Sequence, residues 1–230
     1  MVYYIILDDA IRNLLFFGKK DKVMLYNTIS NNPYGRTKIV NPWCYWDDAF
    51  NPLEIDTIVK YCEEQGTHMG TTFGSETEEQ IKNVRVSNVK FHDKNEKTAW
   101  IFDKLNYIIK SINDEYYGFD LNGYSKFQYT TYNDSENGRY DWHMDTEINS
   151  RPHNQEDIEI RKLSMTLCLN ENYEGGYFQI NVGKESEPLF IQAKKGRAIF
   201  FPSFMIHRVT PVTLGTRRSL VVWVLGPKFK

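Results

Sequence analysis

From Gly118 onward the chain repeats one device: short segments alternating apolar and polar residues, each closed by turn-forming residues. The segments are Lys126–Tyr132, Leu163–Leu169, Tyr177–Val182, Leu189–Gln192, Ala198–Phe201, Met205–Thr210 and Ser219–Leu225. Successive side chains on a strand point to opposite faces, so alternation of this kind describes strands packed on at least one side. Many such strands at close spacing predict a mainly β fold, a sandwich or jelly roll.

Before Gly118 the period changes. Asn51-Pro52-Leu53-Glu54 has the parts of a helix start: Asn51 to cap, Pro52 at the first turn and Glu54 to reach back. Leu53, Ile55, Ile58, Val59 and Cys62 follow helical spacing, and Gly66 is a natural stop. Gly70–Glu79 reads as a polar loop and Asn83–Phe91 as a short strand. Asn95–Tyr116 is the longest expected helix, with one stripe of Trp100, Ile101, Leu105, Ile108, Ile109 and Ile112, ended by Gly118. Tyr3–Leu7 reads as a strand, Lys19–Val40 as irregular, and Asn41-Pro42-Trp43 as the start of an aromatic stretch packed on the main body. Without repeats or low-complexity segments, the expectation is one domain over residues 1–230. Flanking helices would cover the core up to about residue 118, and the β core would span about 119–227.

Composition narrows the function classes. A chain of 230 residues buries enough surface to fold without a disulfide or structural metal. Its net charge of -2 gives no basic excess for nucleic acid or an anionic membrane. Cys44, Cys62 and Cys168 are odd in number and far apart, lack metal-ligand spacing, and read as reduced thiols. Val2–Leu7 is apolar but lacks the basic start and length of a signal peptide, and no stretch nears the roughly 18 apolar residues of a membrane span. The expected compartment is the cytoplasm, with no membrane or nucleic-acid partner.

His143-Met144-Asp145 carries the chemistry. On a strand, residues two apart share a face, so His143 and Asp145 could reach one ion while Trp142 and Met144 turn away. A second imidazole must come from a distant strand, and His207, within Phe204–Thr210, is the best candidate. Two histidines and one carboxylate on one face of an octahedral ion leave positions open for a chelating cosubstrate and then dioxygen, which suits non-haem Fe(II). By itself a His-x-Asp tripeptide is common, and His207 is equally readable as a core histidine.

Beyond His207, Pro211–Thr216 reads as a reversal leading to Arg217-Arg218-Ser219. A hairpin centred near Val212 would set Arg217 opposite His207, with Cβ atoms about 5 Å apart on one face. Ser219 would share that face and Arg218 would point outward. An arginine buried beside a metal needs an anion, and its planar fork suits a carboxylate. A dicarboxylic keto acid answers both demands, chelating through one end and pairing with Arg217 through the other. A surface Arg-Arg pair at a strand start is the plainer alternative.

His143-Met144-Asp145, His207 and Arg217-Arg218-Ser219 together resemble the motifs of Fe(II)/2-oxoglutarate-dependent dioxygenases, in their prolyl 4-hydroxylase-like branch of microbial or phage type. The resemblance spans roughly Asn41–Pro227. It adds Tyr140-Asp141-Trp142, Arg161-Lys162-Leu163-Ser164, Tyr173-Glu174-Gly175-Gly176 and Gly196-Arg197-Ala198 leading to Phe200-Phe201-Pro202-Ser203. It implies a double-stranded β-helix (jelly roll) with Fe(II) held by His143, Asp145 and His207. The implied cosubstrates are 2-oxoglutarate and dioxygen, with ascorbate as an optional reductant. Arg217, Ser219 and Tyr132 would bind the cosubstrate; Tyr140, Arg161 and Trp223 would contact the substrate. Trp223 also has the strand parity of Arg217 and Ser219. The implied activity is hydroxylation of a peptidyl prolyl residue with release of succinate and carbon dioxide. Collagen-type enzymes carry lysine where this chain has Arg217, which sets a collagen-like substrate in question. The polar run Thr146–Ile160 reads as a lid.

His68 and His92 read as surface residues, His153 as part of a solvated loop, and Lys194, Lys195 and Arg197 as a solvated turn. The substrate expected is a peptide or protein. The alternatives are a free amino acid or other small molecule, with Arg139, Arg151 or Arg161 to hold its termini, and a non-enzymatic metal-binding interaction module. Asp145 argues against halogenation, which needs a small residue at the carboxylate position.

Overall fold

The computed structural model describes residues 2–3, 42–71, 77–146, 159–183 and 186–229. Along the chain run β1 (Val2–Tyr3), β2 (Cys44–Trp46), α1 (Pro52–Glu64), β3 (His68–Met69), α2 (Glu78–Val84), β4 (Arg85–Val86), β5 (Asn88–Asp93) and α3 (Ala99–Ile112). After a π turn at Asn113–Tyr117 come β6 (Lys126–Asn133), β7 (Arg139–His143), β8 (Ile160–Cys168), β9 (Glu174–Gly175), β10 (Phe178–Ile180) and β11 (Leu189–Ile191). The last strands are β12 (Ala198–Pro202), β13 (His207–Val209), β14 (Val212–Leu214) and β15 (Thr216–Gly226). One sheet has the order β1-β2-β12-β8-β15-β6-β5-β3 and a second the order β11-β10-β13-β7-β4, all pairs antiparallel. A short β9–β14 ribbon adds a rim. This is the expected mainly β jelly roll.

The helices begin where their caps dictate. Asn51 accepts from the Glu54 amide at 2.9 Å while its own amide donates to Glu54 Oε2 at 2.7 Å, a reciprocal capping box ahead of α1. Thr77 and Gln80 repeat the device at α2, with bonds of 3.2 and 3.1 Å. The expected loop at Gly70–Glu79 is therefore wrong at its end, where α2 begins. The expected strand Asn83–Phe91 is likewise split: β4 joins the small sheet and β5 the large one. Asn95 through Thr98 form a turn rather than helix, since Thr98 Oγ1 accepts from the Asn95 amide at 2.8 Å and donates to Asp93 at 2.9 Å. Gly118, at φ 63°, closes the helical run as expected.

The large sheet is buried on both faces, and its two faces differ in kind. Phe127, Tyr129, Leu163, Met165, Leu167, Leu220, Val222 and Val224 pack against Ile55, Ile58 and Cys62 of α1 and Ile101, Leu105, Ile108 and Ile112 of α3. Each such side chain contributes about 1.5–3 kcal/mol of transfer free energy. The alternate residues Gln128, Thr130, Ser164, Thr166, Arg217 and Ser219 are also buried. They belong to the opposite pleat, facing the small sheet, with an apolar cluster of Tyr45, Tyr132, Phe178, Ile180, Ile199, Phe201, Val209 and Val212 alongside. A buried face of hydroxyls, amide and guanidinium marks the inter-sheet space as a place for polar chemistry.

The N-terminal part is more than a helical cover, because β2, β3 and β5 extend the large sheet itself. The expected strand at Tyr3–Leu7 is described only at Val2–Tyr3; Lys19–Val40 lies outside the described residues. His92 corrects the sequence reading: it is buried, 5.0 Å from Phe127 between ring centroids, with Nε2 unpartnered among the described residues. Arg197 does not sit in a solvated turn. It grips Asp47 through Nε at 2.7 Å and Nη2 at 3.1 Å and lies over Tyr45, while Lys195 pairs with Asp56. All three cysteines are free and buried, and among the described residues no helix is long and apolar enough to cross a membrane.

Candidate metal centre and buried anion site

β7 and β13 pair in the small sheet with His143 directly opposite His207. The strand ends at His143, so Asp145 does not reach the site by strand alternation as expected. It reaches it through a bend, fixed by bonds from the Asp145 and Thr146 amides to the Ser203 carbonyl at 2.9 and 3.1 Å. His143 Nε2 lies 3.7 Å from Asp145 Oδ1, and His207 Nε2 lies 3.6 Å from Oδ2. The ligand atoms of all three residues fall within 4.8 Å of one another. Metal–ligand bonds near 2.1 Å set neighbouring donors about 3 Å apart, so a small closure onto an ion suffices.

The surrounding bonds prepare these donors. His143 Nδ1 donates to the Asp141 carbonyl at 2.7 Å and His207 Nδ1 to the Met205 carbonyl at 2.9 Å. A carbonyl only accepts, so each Nδ1 carries a proton, which leaves each Nε2 facing the Asp145 carboxylate. Burial, followed by the neighbouring His207, pushes the His143 pKa down to about 3, leaving a neutral imidazole at pH 7. Burial alone would raise the Asp145 carboxyl, but His207, His143, the Ser164 hydroxyl and the Trp223 indole together hold it below the usual carboxylate range. Ser164 Oγ donates to Asp145 Oδ2 at 2.7 Å and lies 2.8 Å from Ser203 Oγ. The Trp223 indole N–H lies near this carboxylate without closing a hydrogen bond. Two imidazoles and one carboxylate, each oriented from behind, are a donor set that fits Fe(II).

Arg217 lies on the other sheet. The expected hairpin register fails: Arg217 is opposite Tyr132 on β6, while His207 pairs with His143 and Ile180. The two strands belong to different sheets because β14 leaves β13 to pair with β9 before β15 begins. Arg217 is 3% exposed, donates from Nη1 to Ser219 Oγ at 3.2 Å, and holds its guanidinium carbon 5.3 Å from the Tyr132 ring centroid. Burial works against its charge, but the nearby Tyr173, Tyr132 and Cys168 raise its pKa above the ordinary value. Gly176 makes room for it, since a Cβ there would stand 3.0 Å from Arg217 Cδ. Among the described residues no carboxylate pairs with Arg217. An unpaired buried guanidinium costs several kcal/mol, which an incoming carboxylate offsets.

Three further expected residues gather at the metal side. Tyr140 stacks on His143 at 3.4 Å between centroids with 10° between planes. Arg161 donates from Nη1 to the Asp145 carbonyl at 3.3 Å and lies 4.3 Å above Trp223. Arg139 bonds the carbonyls of Lys82 and Asn137 at an exposed edge and is outside this group. Arg151, His153 and most of the expected lid, residues 147–158, lie outside the described residues. Sequence reasoning assigned no role to Ser164, Ser203, Tyr173 or Arg85. For Ser164 the signal was present, as a small polar residue at the inward parity of β8. Arg85 carried no such signal, because β4 is two residues long and its pairing with Tyr140 is purely tertiary.

Residues 127–225 match the model of the 2OG-Fe(II) oxygenase superfamily. Among curated proteins, a PKHD-type hydroxylase of Alteromonas mediterranea is 37% identical over 92 residues, covering 39% of each chain. Another from Psychrobacter is 34% identical over 87 residues, covering 37% of this chain and 32% of its own. The chain thus spans well under half the length of the curated relatives it matches. A Pseudomonas putida prolyl-4-hydroxylase superposes with a TM-score of 0.61 at 16% identity, over 82% of this chain and 94% of its own. A Trichoplax adhaerens prolyl hydroxylase, solved with a hypoxia inducible factor peptide fragment, gives 0.64 at 16% identity over 81% and 84%. These structures share the jelly-roll fold of this chain. The similarity to the 2OG-Fe(II) oxygenase superfamily covers residues 127–225, the stretch that includes His143, Asp145, His207 and Arg217.

Proposed function

We propose that the chain is an Fe(II)/2-oxoglutarate-dependent hydroxylase acting on a peptidyl substrate, with proline as the residue oxidised. The observation that carries the reading is Arg217, a buried guanidinium without a carboxylate partner among the described residues, lining the inter-sheet space that also receives the His143–Asp145–His207 cluster. His143, Asp145 and His207 hold the metal in this reading. Arg217 and Ser219 take the far carboxylate of 2-oxoglutarate, and the Tyr132 phenol borders the same ligand. Iron, when bound, activates dioxygen and couples loss of carbon dioxide from 2-oxoglutarate, which leaves succinate, to hydroxylation of a substrate C–H bond.

The protein's share is placement. Ser164 fixes the Asp145 carboxylate by donating a hydrogen bond to Oδ2, which orients the group toward the ion in this reading. The backbone carbonyls of Asp141 and Met205 orient the two rings. Tyr140, packed on His143, and Arg161, over Trp223, border the approach of substrate in this reading. A peptide substrate is supported by the fold shared with prolyl hydroxylases, one of them solved with a peptide, and by the hydroxylase relatives.

The test is succinate formation from 2-oxoglutarate by the protein given Fe(II), ascorbate and oxygen. Wild type is expected to form succinate without substrate at a slow rate, rising with a proline-containing peptide, and Asp145→Ala is expected to form none above background. Metal bound at His143 and His207 with no succinate from wild type would place the chain among metal-binding modules without oxygenase activity.

A further inference from the structure

β7 carries an irregularity that the metal donors alone do not explain. Along β13, His207 and Val209 are two residues apart, while their partners on β7, His143 and Tyr140, are three apart. The extra residue on β7 makes a bulge that shifts the alternation. A regular strand would turn Tyr140 and His143 to opposite sides; the bulge brings them together. Their rings lie 3.4 Å apart between centroids, with 10° between planes. Tyr140 in turn stands opposite Arg85 on β4, so these two side chains share a face. The Arg85 guanidinium carbon is 4.7 Å from the Tyr140 ring centroid. His143 covers one face of that ring, which leaves the other for the guanidinium. The result is a stack of guanidinium, phenol and imidazole that ends at a metal donor.

Arg85 is itself clamped. It is 6% exposed, with Nε donating to Ser87 Oγ at 2.7 Å and Nη1 to the Thr71 carbonyl at 3.1 Å. Gly70 leaves the space for this clamp, since a Cβ there would stand 2.9 Å from both Arg85 Nε and Ser87 Oγ. The Gly70 amide donates to the Ser87 carbonyl at 2.8 Å, which ties the loop to the strand. Among the described residues no carboxylate pairs with Arg85. A buried cation without an acid is costly. Here the compensation comes from two hydrogen bonds and from the Tyr140 ring, an attraction that strengthens away from water.

His143 needs such support more than His207 does. The His207 ring is walled by Phe178 and Phe201, at 5.5 and 4.6 Å between centroids. His143 is the last residue of β7, and its Nδ1 bond to the Asp141 carbonyl is made within its own strand. One hydrogen bond fixes a direction and leaves the ring free to tilt about it. We propose that Arg85 is a positioning residue for the metal: clamped to Ser87 and Thr71, it fixes Tyr140, and Tyr140 fixes the plane of His143 so that Nε2 points at the ion. This rests on the reading of His143, Asp145 and His207 as metal donors. It makes β4, an edge strand of two residues, part of the metal centre.

The experiment uses Co(II), whose ligand-field absorption reports the geometry of its donors, and reads affinity and band position rather than turnover. The melting temperature of each metal-free variant is measured alongside. Arg85→Met, close in volume and uncharged, should bind Co(II) about tenfold more weakly and with a shifted band. Arg85→Lys, which keeps the cation, should recover most of the affinity. Tyr140→Phe keeps the ring and should match wild type, whereas Tyr140→Leu should lose at least as much as Arg85→Met. The double variant of Arg85→Met with Tyr140→Leu should bind no more weakly than Tyr140→Leu alone, because Arg85 acts through that ring. A merely structural role would lower the melting temperature and leave the band of the folded variants in place, and that result would overturn the inference. So would wild-type affinity in Arg85→Met, no recovery in Arg85→Lys, or losses that add in the double variant. If Arg85→Met does not fold, Ser87→Ala, which removes the bond to Arg85 Nε, carries the test: its band should shift in the same sense as that of Tyr140→Leu, and an unshifted band would overturn the inference. A wild type that takes up no Co(II) would instead overturn the metal reading beneath it.

Discussion

At the scale of single residues, the site is a matter of which atoms have partners and which do not. Ser164 has no direct route to the metal, yet its hydroxyl decides how the Asp145 carboxylate stands. Ser164→Ala is therefore expected to weaken Fe(II) or Mn(II) affinity by about 10- to 100-fold with little change in thermal stability, read by metal titration of the purified variant. His92 shows the opposite case, a buried imidazole whose Nε2 finds no hydrogen-bond partner among the described residues. Burial, then Lys90, lowers its pKa below 6.5. The folded state holds it neutral while the unfolded chain takes up a proton below pH 6.5, so stability falls as pH drops below that value and is unaffected above it. Urea unfolding at pH 7.5 and 5.5 should show a smaller acid-side loss for His92→Phe than for wild type. The grouping of His143, Asp145 and His207 was legible because the combination is rare: His, Asp and His in order, with strand-like surroundings. The burial of His92 was not legible, because a histidine beside Asp93 at a strand end carries no mark of the helices that cover it.

At the scale of elements, a helix start is marked by a local bond, and the mark is plainest where an apolar stripe follows it. Asn51, Pro52 and Glu54 announced α1, and the bonds are there. Thr77-Glu78-Glu79-Gln80 is the same signal, overlooked because α2 is only seven residues long and lacks an apolar stripe. Thr77→Ala is expected to cost about 1 kcal/mol and to speed amide exchange in α2 more than in α1. The hairpin between His207 and Arg217 failed for a physical reason. A reversal containing Pro211 and Gly215 can return the chain to its own sheet or carry it to another, and spacing alone does not distinguish these. Here β14 pairs with β9 and the chain crosses to the large sheet. Arg217 nonetheless faces the inter-sheet space, by strand parity within β15 rather than by register with His207.

For the whole molecule, the informative pattern is an alternation that does not separate core from solvent. In β6, β8 and β15 the apolar residues face the helices, and the polar ones are buried against the small sheet. Read as sequence, Gln128, Thr130, Ser164, Thr166 and Ser219 look like an exposed face; the second sheet turns them into a lining. The helical layer stabilises this arrangement from behind. Leu167→Ala, on β8 and packed against that layer, is expected to lower unfolding free energy by about 2–5 kcal/mol, measured by chemical denaturation, while metal affinity in the folded protein stays near that of wild type.

The central claim is that the three metal donors and Arg217 form the two ends of one 2-oxoglutarate site. Anaerobic titration of 2-oxoglutarate into Fe(II)-loaded protein, followed by the visible charge-transfer absorption of the chelate, tests it directly. Wild type should develop the band and saturate. Arg217→Ala should need on the order of 100-fold more 2-oxoglutarate, the loss of two charge-assisted hydrogen bonds. A wild-type protein with iron bound and no band, or an Arg217→Ala variant that saturates with wild type, would contradict the account.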